Sequence, residues 1–218
     1  MSKLRILTEE STSVFNQIIA EIRDVKVQKD RMRFRRNLER TGELFAYEVS
    51  KTFDFEKREI TTPFGVAEES VFVEQPILVT ILRAGLPFHQ GLLNYFDKAD
   101  NGYISAYRKH HKDGTFDIEL EYLSVPSIEG RTVILSDPML ATGASMVLAY
   151  KAMLAKGKPK HCHIVTLIGS AEGIEYTQKN LPENTTIWMG ALDQEMTAQS
   201  YIVPGLGDVG DLAFGDKE

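Results

Sequence analysis

The chain is poor in cysteine, in long apolar runs and in positive charge, and each shortage removes a class of protein. Its single cysteine, Cys162, excludes an intrachain disulfide framework and is compatible with a reducing compartment. That residue lies in the apolar stretch His161 to Gly169, which reads as a buried strand where a free thiol behaves as a small hydrophobe. No apolar run approaches the roughly 20 residues needed to cross a bilayer, and Met1 to Glu10 has no apolar signal core. The expectation is a cytoplasmic protein without a membrane partner. A net charge of −6 gives no global attraction to nucleic acid, so none is expected as a partner and any polyanion site must be local. Internal repeats and low-complexity tracts are absent as well.

What remains is an ordinary globular composition: 218 residues, 43% hydrophobic and 26% charged. That length suits one large domain, expected to span 1–218. The chain opens with helices across about 13–50: Val14, Ile18, Ile19 and Ile22 recur at helical spacing, as do Phe34, Leu38, Phe45 and Val49 after a candidate N-cap at Asp30. From Gln75 onward the pattern becomes strand-helix alternation. Apolar runs at Pro76 to Leu82, Gly102 to Tyr107, Arg131 to Leu135, His161 to Ile168 and Thr185 to Gly190 read as strands. Leu86 to Tyr95, Ala144 to Ala155 and Ala171 to Lys179 read as helices between them. This is the order of an α/β protein with a mainly parallel sheet covered on both faces, and such sheets bind ligands beyond the carboxyl ends of their strands. Phe116, Ile118, Leu120 and Tyr122 alternate, which predicts a strand or hairpin projecting from the sheet rather than lying at its centre.

The loop after the third strand carries the most chemistry. Asp137 ends an apolar strand and predicts an exposed carboxylate suited to two ribose hydroxyls. Thr142, Gly143, Ala144 and Ser145 would then offer backbone N–H groups and two hydroxyls at a helix start, where orphan donors and the helix dipole favour a phosphate. After the first strand, Leu82-Arg83-Ala84-Gly85-Leu86 sets a guanidinium and a glycine turn at the same end of the sheet, suited to pyrophosphate. Following the second strand, Tyr107 to Lys112 forms a local cationic cluster in an acidic protein. Near the end, Gly205, Gly207 and Gly210 match the spacing of a dinucleotide fingerprint. Too few residues follow for a strand-helix-strand unit and its distal acid, so that match is a false positive. Glycine density there instead exposes backbone groups that can read the edge of a flat heterocycle.

The string Asp137-Pro138-Met139-Leu140-Ala141-Thr142-Gly143-Ala144-Ser145 resembles the phosphoribosyl pyrophosphate (PRPP) motif of the type I phosphoribosyltransferases, in the form found in uracil phosphoribosyltransferases. Ser136 stands where most of the superfamily has a second acid, as in the uracil branch; Ala144 departs from a common second glycine. The resemblance continues through the Arg83 loop and the segment Tyr201 to Asp211. It implies a central parallel sheet with a small hood built partly from about 191–218, and transfer of phosphoribose from PRPP to uracil, giving UMP. It further implies Arg83, Arg108 and Asp137 as catalytic residues, with Asp137 to Ser145 and Asp208 binding PRPP. Main-chain groups at Ile202, Gly207 and Val209, beside Asp208, would read uracil, although Val209 replaces the usual alanine. Magnesium (Mg2+) would be held through PRPP, with Asp208 reached through water, and the protein would be a homodimer or higher homo-oligomer. Transfer to another base and an RNA-binding pyrimidine regulator of the same fold are the alternatives.

Two further features carry weaker readings. The basic run Lys26 to Arg36 reads as a solvated face or subunit contact ahead of a GTP effector site of the kind some uracil enzymes have. His161 and His163 share one strand face and, with no third ligand nearby, read as core-edge residues rather than a metal site.

Overall fold

The structure, a computed structural model, describes residues 2–110 and 116–216, with the side chains of 106–110 and 116–119 excepted. The expectations placed on Tyr107, Arg108, Lys109, His110, His111 and Lys112 therefore lie outside the described side chains.

Near the N-terminus run β1 (Lys3–Ile6), α1 (Leu7–Glu10), α2 (Val14–Arg23), α3 (Arg31–Ser50), β2 (Phe55–Thr62) and β3 (Gly65–Phe72). Then come β4 (Ile77–Leu82), α4 (Gly85–Leu93), β5 (Asp100–His110), β6 (Phe116–Ser124), β7 (Thr132–Ser136), β8 (Met139–Leu140) and α5 (Ala144–Met153). The chain closes with β9 (His161–Ser170), α6 (Ala171–Asn180), β10 (Thr185–Asp193), β11 (Glu195–Met196), β12 (Ile202–Val203) and α7 (Val209–Phe214).

The main sheet has the order β1-β10-β9-β7-β4-β5-β6, with β8 also paired to β9. All its pairings are parallel except that of β6 with β5. The alternating segment thus forms an antiparallel edge strand, at the margin where its pattern pointed. Both faces of the sheet are covered, as near-continuous apolar strands require. Along β4 and β7, Ile77, Val79, Ile81, Val133 and Leu135 pack on one side with Met146, Val147 and Met153 of α5. Leu78 and Ile134 point the other way, toward Phe34, Leu38 and Phe45 of α3 and Phe88 of α4.

Local signals explain the helix starts. Ser13 caps α2 and is answered by Asn16, whose Oδ1 accepts from the Ser13 amide at 2.9 Å. Asp30 caps α3, accepting from the Arg33 amide at 3.0 Å, as its position predicted. Besides several short elements, the sequence reading misses β1, which adds a parallel edge strand beside β10, and the hairpin β2–β3, which stands apart from the main sheet with every residue of β2 exposed.

Helices α3 and α4 cross at glycines. A Cβ at Gly42 would sit 2.2 Å from the Phe88 carbonyl oxygen, and one at Gly91 only 1.9 Å from that of Glu39. Helix propensity alone makes Gly91→Ala stabilising by about 0.5–1 kcal/mol, whereas overpacking against backbone costs about 1–3 kcal/mol or more. Packing wins here: Gly91→Ala is expected to lower stability by about 2 kcal/mol, read as a reduced urea midpoint at unchanged slope. A stabilised variant would show that the two helices lie further apart.

Candidate active site

Parallel strands β4 and β7 are neighbours in register, with Thr80 opposite Ser136. Toward their carboxyl ends they are tied by two buried hydrogen bonds: Thr80 Oγ1 donates to the Ser136 carbonyl at 3.1 Å, and Ser136 Oγ to that of Val79 at 3.3 Å. The loops that follow must therefore emerge side by side. After β4 the chain passes through Arg83 and folds back over Thr80 into α4. A Cβ at Gly85 would lie 2.1 Å from Thr80 Oγ1, so only glycine allows this return. Arg83 then reaches outward, where its Nη2 donates to Asp211 Oδ1 at 2.9 Å and to the Gly215 carbonyl at 3.3 Å.

Beyond β7, Asp137 is partly buried, and its Oδ1 accepts from the Met139 amide at 3.2 Å. Burial pushes its carboxyl up to about 7, the Met139 amide works against that, and the charge of Asp208 adds to it. The exposed carboxylate predicted from sequence is thus corrected: the fold leaves Asp137 only partly exposed and desolvates its carboxyl. Gly143 turns the chain into α5 at φ 76°, and a Cβ there would meet Thr177 Oγ1 at 2.5 Å and the Gly173 carbonyl at 2.7 Å. Thr142 Oγ1 accepts from the Ala144 amide at 3.4 Å.

The third component comes from the far end of the chain. Asp208 caps α7 by accepting from the Asp211 amide at 3.0 Å. A Cβ at Gly210 would lie 3.1 Å from Asp208 Oδ1 and 3.6 Å from Arg83 Nη2, so this glycine lets the two functional side chains approach each other. Arg23 anchors the segment: it grips Asp193 with two 2.8 Å bonds and donates to the Gly205 carbonyl at 2.8 Å, while the Gly205 amide donates to Asp193. Arg35 adds a 2.7 Å bond to the Ala213 carbonyl.

One cleft of ≈ 170 Å³ results, lined among others by Arg83, Met139, Ala141, Ile202, Gly207, Asp208 and Val209. Asp137 lies close enough to Asp208 for their charges to interact. Leu140 instead turns into the core, and Thr142 to Ser145 open α5 without lining this cleft.

A sequence profile described as uracil phosphoribosyltransferase matches residues 9–216. A uracil phosphoribosyltransferase from Porphyromonas gingivalis is 55% identical over 205 residues, covering 94% of this chain and 95% of that protein. The chain belongs to the uracil phosphoribosyltransferase family. Another uracil phosphoribosyltransferase, from Pyrococcus furiosus, is 35% identical, over 95% of this chain and 88% of its own length. Among solved structures, a protein from Aquifex aeolicus superposes with a TM-score of 0.84 at 28% identity, covering 97% of this chain and 98% of that one.

Sequence reasoning missed Asp211, the partner of Arg83, and Ser200 and Tyr201, which also border the cleft. Tyr201 and Asp211 lay within the quoted C-terminal string, but nothing local marked them as facing Arg83. The basic run resolves into particular contacts. Arg33 pairs with Glu21, Arg36 with Glu39 and Glu43, and Arg35 holds the C-terminal segment. Among the described residues no group of three or more His, Cys, Asp or Glu could hold a metal ion. Cys162 is buried, and burial pushes its thiol up to about 12, as a strand-core cysteine requires.

Because the folded Asp137 carboxyl titrates above its unfolded value, the folded state binds the extra proton. Its contribution to stability is fully present below the ordinary carboxylate range of roughly 4 and is lost as pH rises toward about 7. Asp137→Asn removes that loss. Urea midpoints of the two proteins should therefore diverge in the variant's favour as pH rises through this window, and a pH-independent difference would contradict the burial assigned to Asp137.

Proposed function

We propose that the chain is a single-domain cytoplasmic enzyme that transfers the phosphoribosyl group of PRPP to uracil, giving UMP and pyrophosphate. The observation that carries this reading is the meeting, around one cleft, of Arg83, Asp208 and the glycine-rich backbone from Ile202 to Val209, with Asp137 beside it. An activated sugar and a planar base need these groups together.

The roles follow from the chemistry of each group. As carboxylate, Asp137 accepts hydrogen bonds from two ribose hydroxyls and fixes the anomeric carbon, while the turn at Gly143 and the first amides of α5 receive the 5-phosphate. Arg83 serves the pyrophosphate. Asp211 pairs with its guanidinium, so pyrophosphate binding would exchange one anion for another on Arg83. As the bond from the anomeric carbon to pyrophosphate breaks, positive charge grows on the sugar, and the uracil ring nitrogen forms the new bond and releases its proton. Main-chain groups at Ile202, Gly207 and Val209 read the alternating donors and acceptors of the base. Arg108 is the second cation we assign to the leaving group, on the strength of the family resemblance.

A divalent cation fits this donor set only as an ion shared with substrate. Asp137 and Asp208 supply two carboxylates whose charges interact, too few for an all-protein cage and in keeping with magnesium, which retains several waters and substrate phosphate oxygens. Asp208 would hold it through water. Magnesium, when bound, neutralises charge on the departing pyrophosphate.

A homo-oligomer is supported by the hairpin β2–β3, which leaves Phe55, Phe64 and Val66 exposed on an arm that packs on no other strand. For a GTP effector the basic run offers Lys26, Lys29 and Arg31, since Arg33, Arg35 and Arg36 are engaged within the chain. The net charge of −6 favours the enzyme over an RNA-binding regulator of the same fold.

Mixing the protein with PRPP, magnesium and each of several bases should release pyrophosphate with uracil and little with xanthine, guanine or orotate. Asp137→Asn should lower kcat on the order of 100-fold with the fold intact, and Arg83→Ala should raise KM for PRPP. The wild-type rate should rise with pH through about 7 as Asp137 ionises. No release with uracil, or undiminished turnover in Asp137→Asn, would refute the assignment.

A further inference from the structure

The opposite rim of the sheet, where the strands begin, holds a second cavity that phosphoribosyl transfer leaves without a role. It measures ≈ 500 Å³ and takes its walls from the first residues of β1, β7, β9 and β10 together with the chain on either side of the hairpin. That volume lies in the range of small-molecule sites.

His163, 4% exposed, sets the chemistry. Its Nδ1 accepts from Trp188 Nε1 at 3.0 Å, so the ring proton of the neutral imidazole sits on Nε2, and no described residue accepts it. Burial, reinforced by His161, pushes His163 down to about 3, so the ring stays neutral and presents a fixed N–H donor to the cavity. His163 lines the cavity and its Nε2–H opens onto it, so a bound acceptor can take that hydrogen bond in place of solvent.

The charged groups around it divide into committed and free. Arg5 pairs with Glu10 and lies over the Trp188 ring at 4.5 Å, closing one wall; Lys160 pairs with Asp54 at 2.8 Å; Glu74 pairs with Arg131 at 3.4 Å. Lys3 has no partner among the described residues, and it stands near enough to His161 to lower that ring's pKa, though burial is the larger cause. The uncommitted polar groups are therefore donors. Beside them the walls are flat: His161 and His163 have ring centroids 4.5 Å apart, and Phe53 lies 5.8 Å from His163. Donors on one side and ring faces on the other suit an anion carried on a planar ring.

We propose that this cavity binds a small ring-bearing organic anion, its carboxylate or phosphate on Lys3 and the His163 Nε2–H and its ring against Phe53 and the histidine pair. The inference does not depend on the reaction assigned to the other rim.

Trp188 is the chain's only tryptophan and lies in this wall, so its emission reports on this cavity and not on the catalytic cleft. Phenyl phosphate and benzoate, titrated separately into the full-length protein, distinguish the two head groups; inorganic phosphate and benzyl alcohol supply the anion and the ring alone. Expected is a saturable change in emission with at least one ring anion, at a midpoint at least about tenfold below those of inorganic phosphate and benzyl alcohol. Lys3→Met should raise that midpoint by about fivefold or more while leaving uracil-dependent pyrophosphate release unchanged. No saturable change, an equal response to inorganic phosphate or benzyl alcohol, a midpoint indifferent to Lys3→Met, or a response abolished by saturating PRPP would each overturn the proposal.

Discussion

The candidate site rests on one constraint, the side-by-side ending of β4 and β7. Parallel register opposes Thr80 and Ser136, and the two buried hydrogen bonds between these strands leave little freedom for either to slip. A one-residue slip would turn Ile77, Val79 and Ile81 out of one apolar layer and into the other, so packing enforces the same register. Everything the site needs from the first two-thirds of the chain follows: Arg83 leaves one strand end and Asp137 the next, at a common rim.

The remaining component is brought by long-range anchoring rather than by the sheet. Gly205 to Phe214 contains only one short helix and would order weakly by itself. Arg23 on α2 fixes it through Asp193 and the Gly205 carbonyl, and Gln28 adds a bond to the Leu206 carbonyl at 3.2 Å. The Arg23–Asp193 pair is largely buried, and losing one partner of such a pair costs about 3–5 kcal/mol. The N-terminal helices thus hold in place the C-terminal segment that lines the cleft. Within that segment, Asp211 pairs with Arg83 and its amide donates to Asp208, which fixes both side chains at the cleft.

How far this was legible in the sequence depends on the range of the interactions. Strand-ending acids, glycine turns and helix caps are local: Asp137, the Arg83 loop and Asp30 all sit where residue type and spacing placed them. Asp211 could not be assigned, since the partner that gives it meaning is 128 residues away. The burial of Asp137 was misjudged for a related reason, because how far the surrounding fold covers a strand-end side chain has no local signature. The hairpin was missed because its strands face solvent on both sides and so lack the alternation that marks a half-buried strand. Pro63 and Gly65, flanked by Ile60, Thr61, Thr62 and Val66, were the signal available.

The central claim, that three stretches distant in the chain form one binding cleft, is tested most directly by amide hydrogen exchange with and without PRPP and magnesium. Binding should slow exchange together at 82–86, 139–145 and 205–212, with equal ligand dependence at all three. Protection confined to one stretch, or three stretches saturating at different PRPP concentrations, would contradict it.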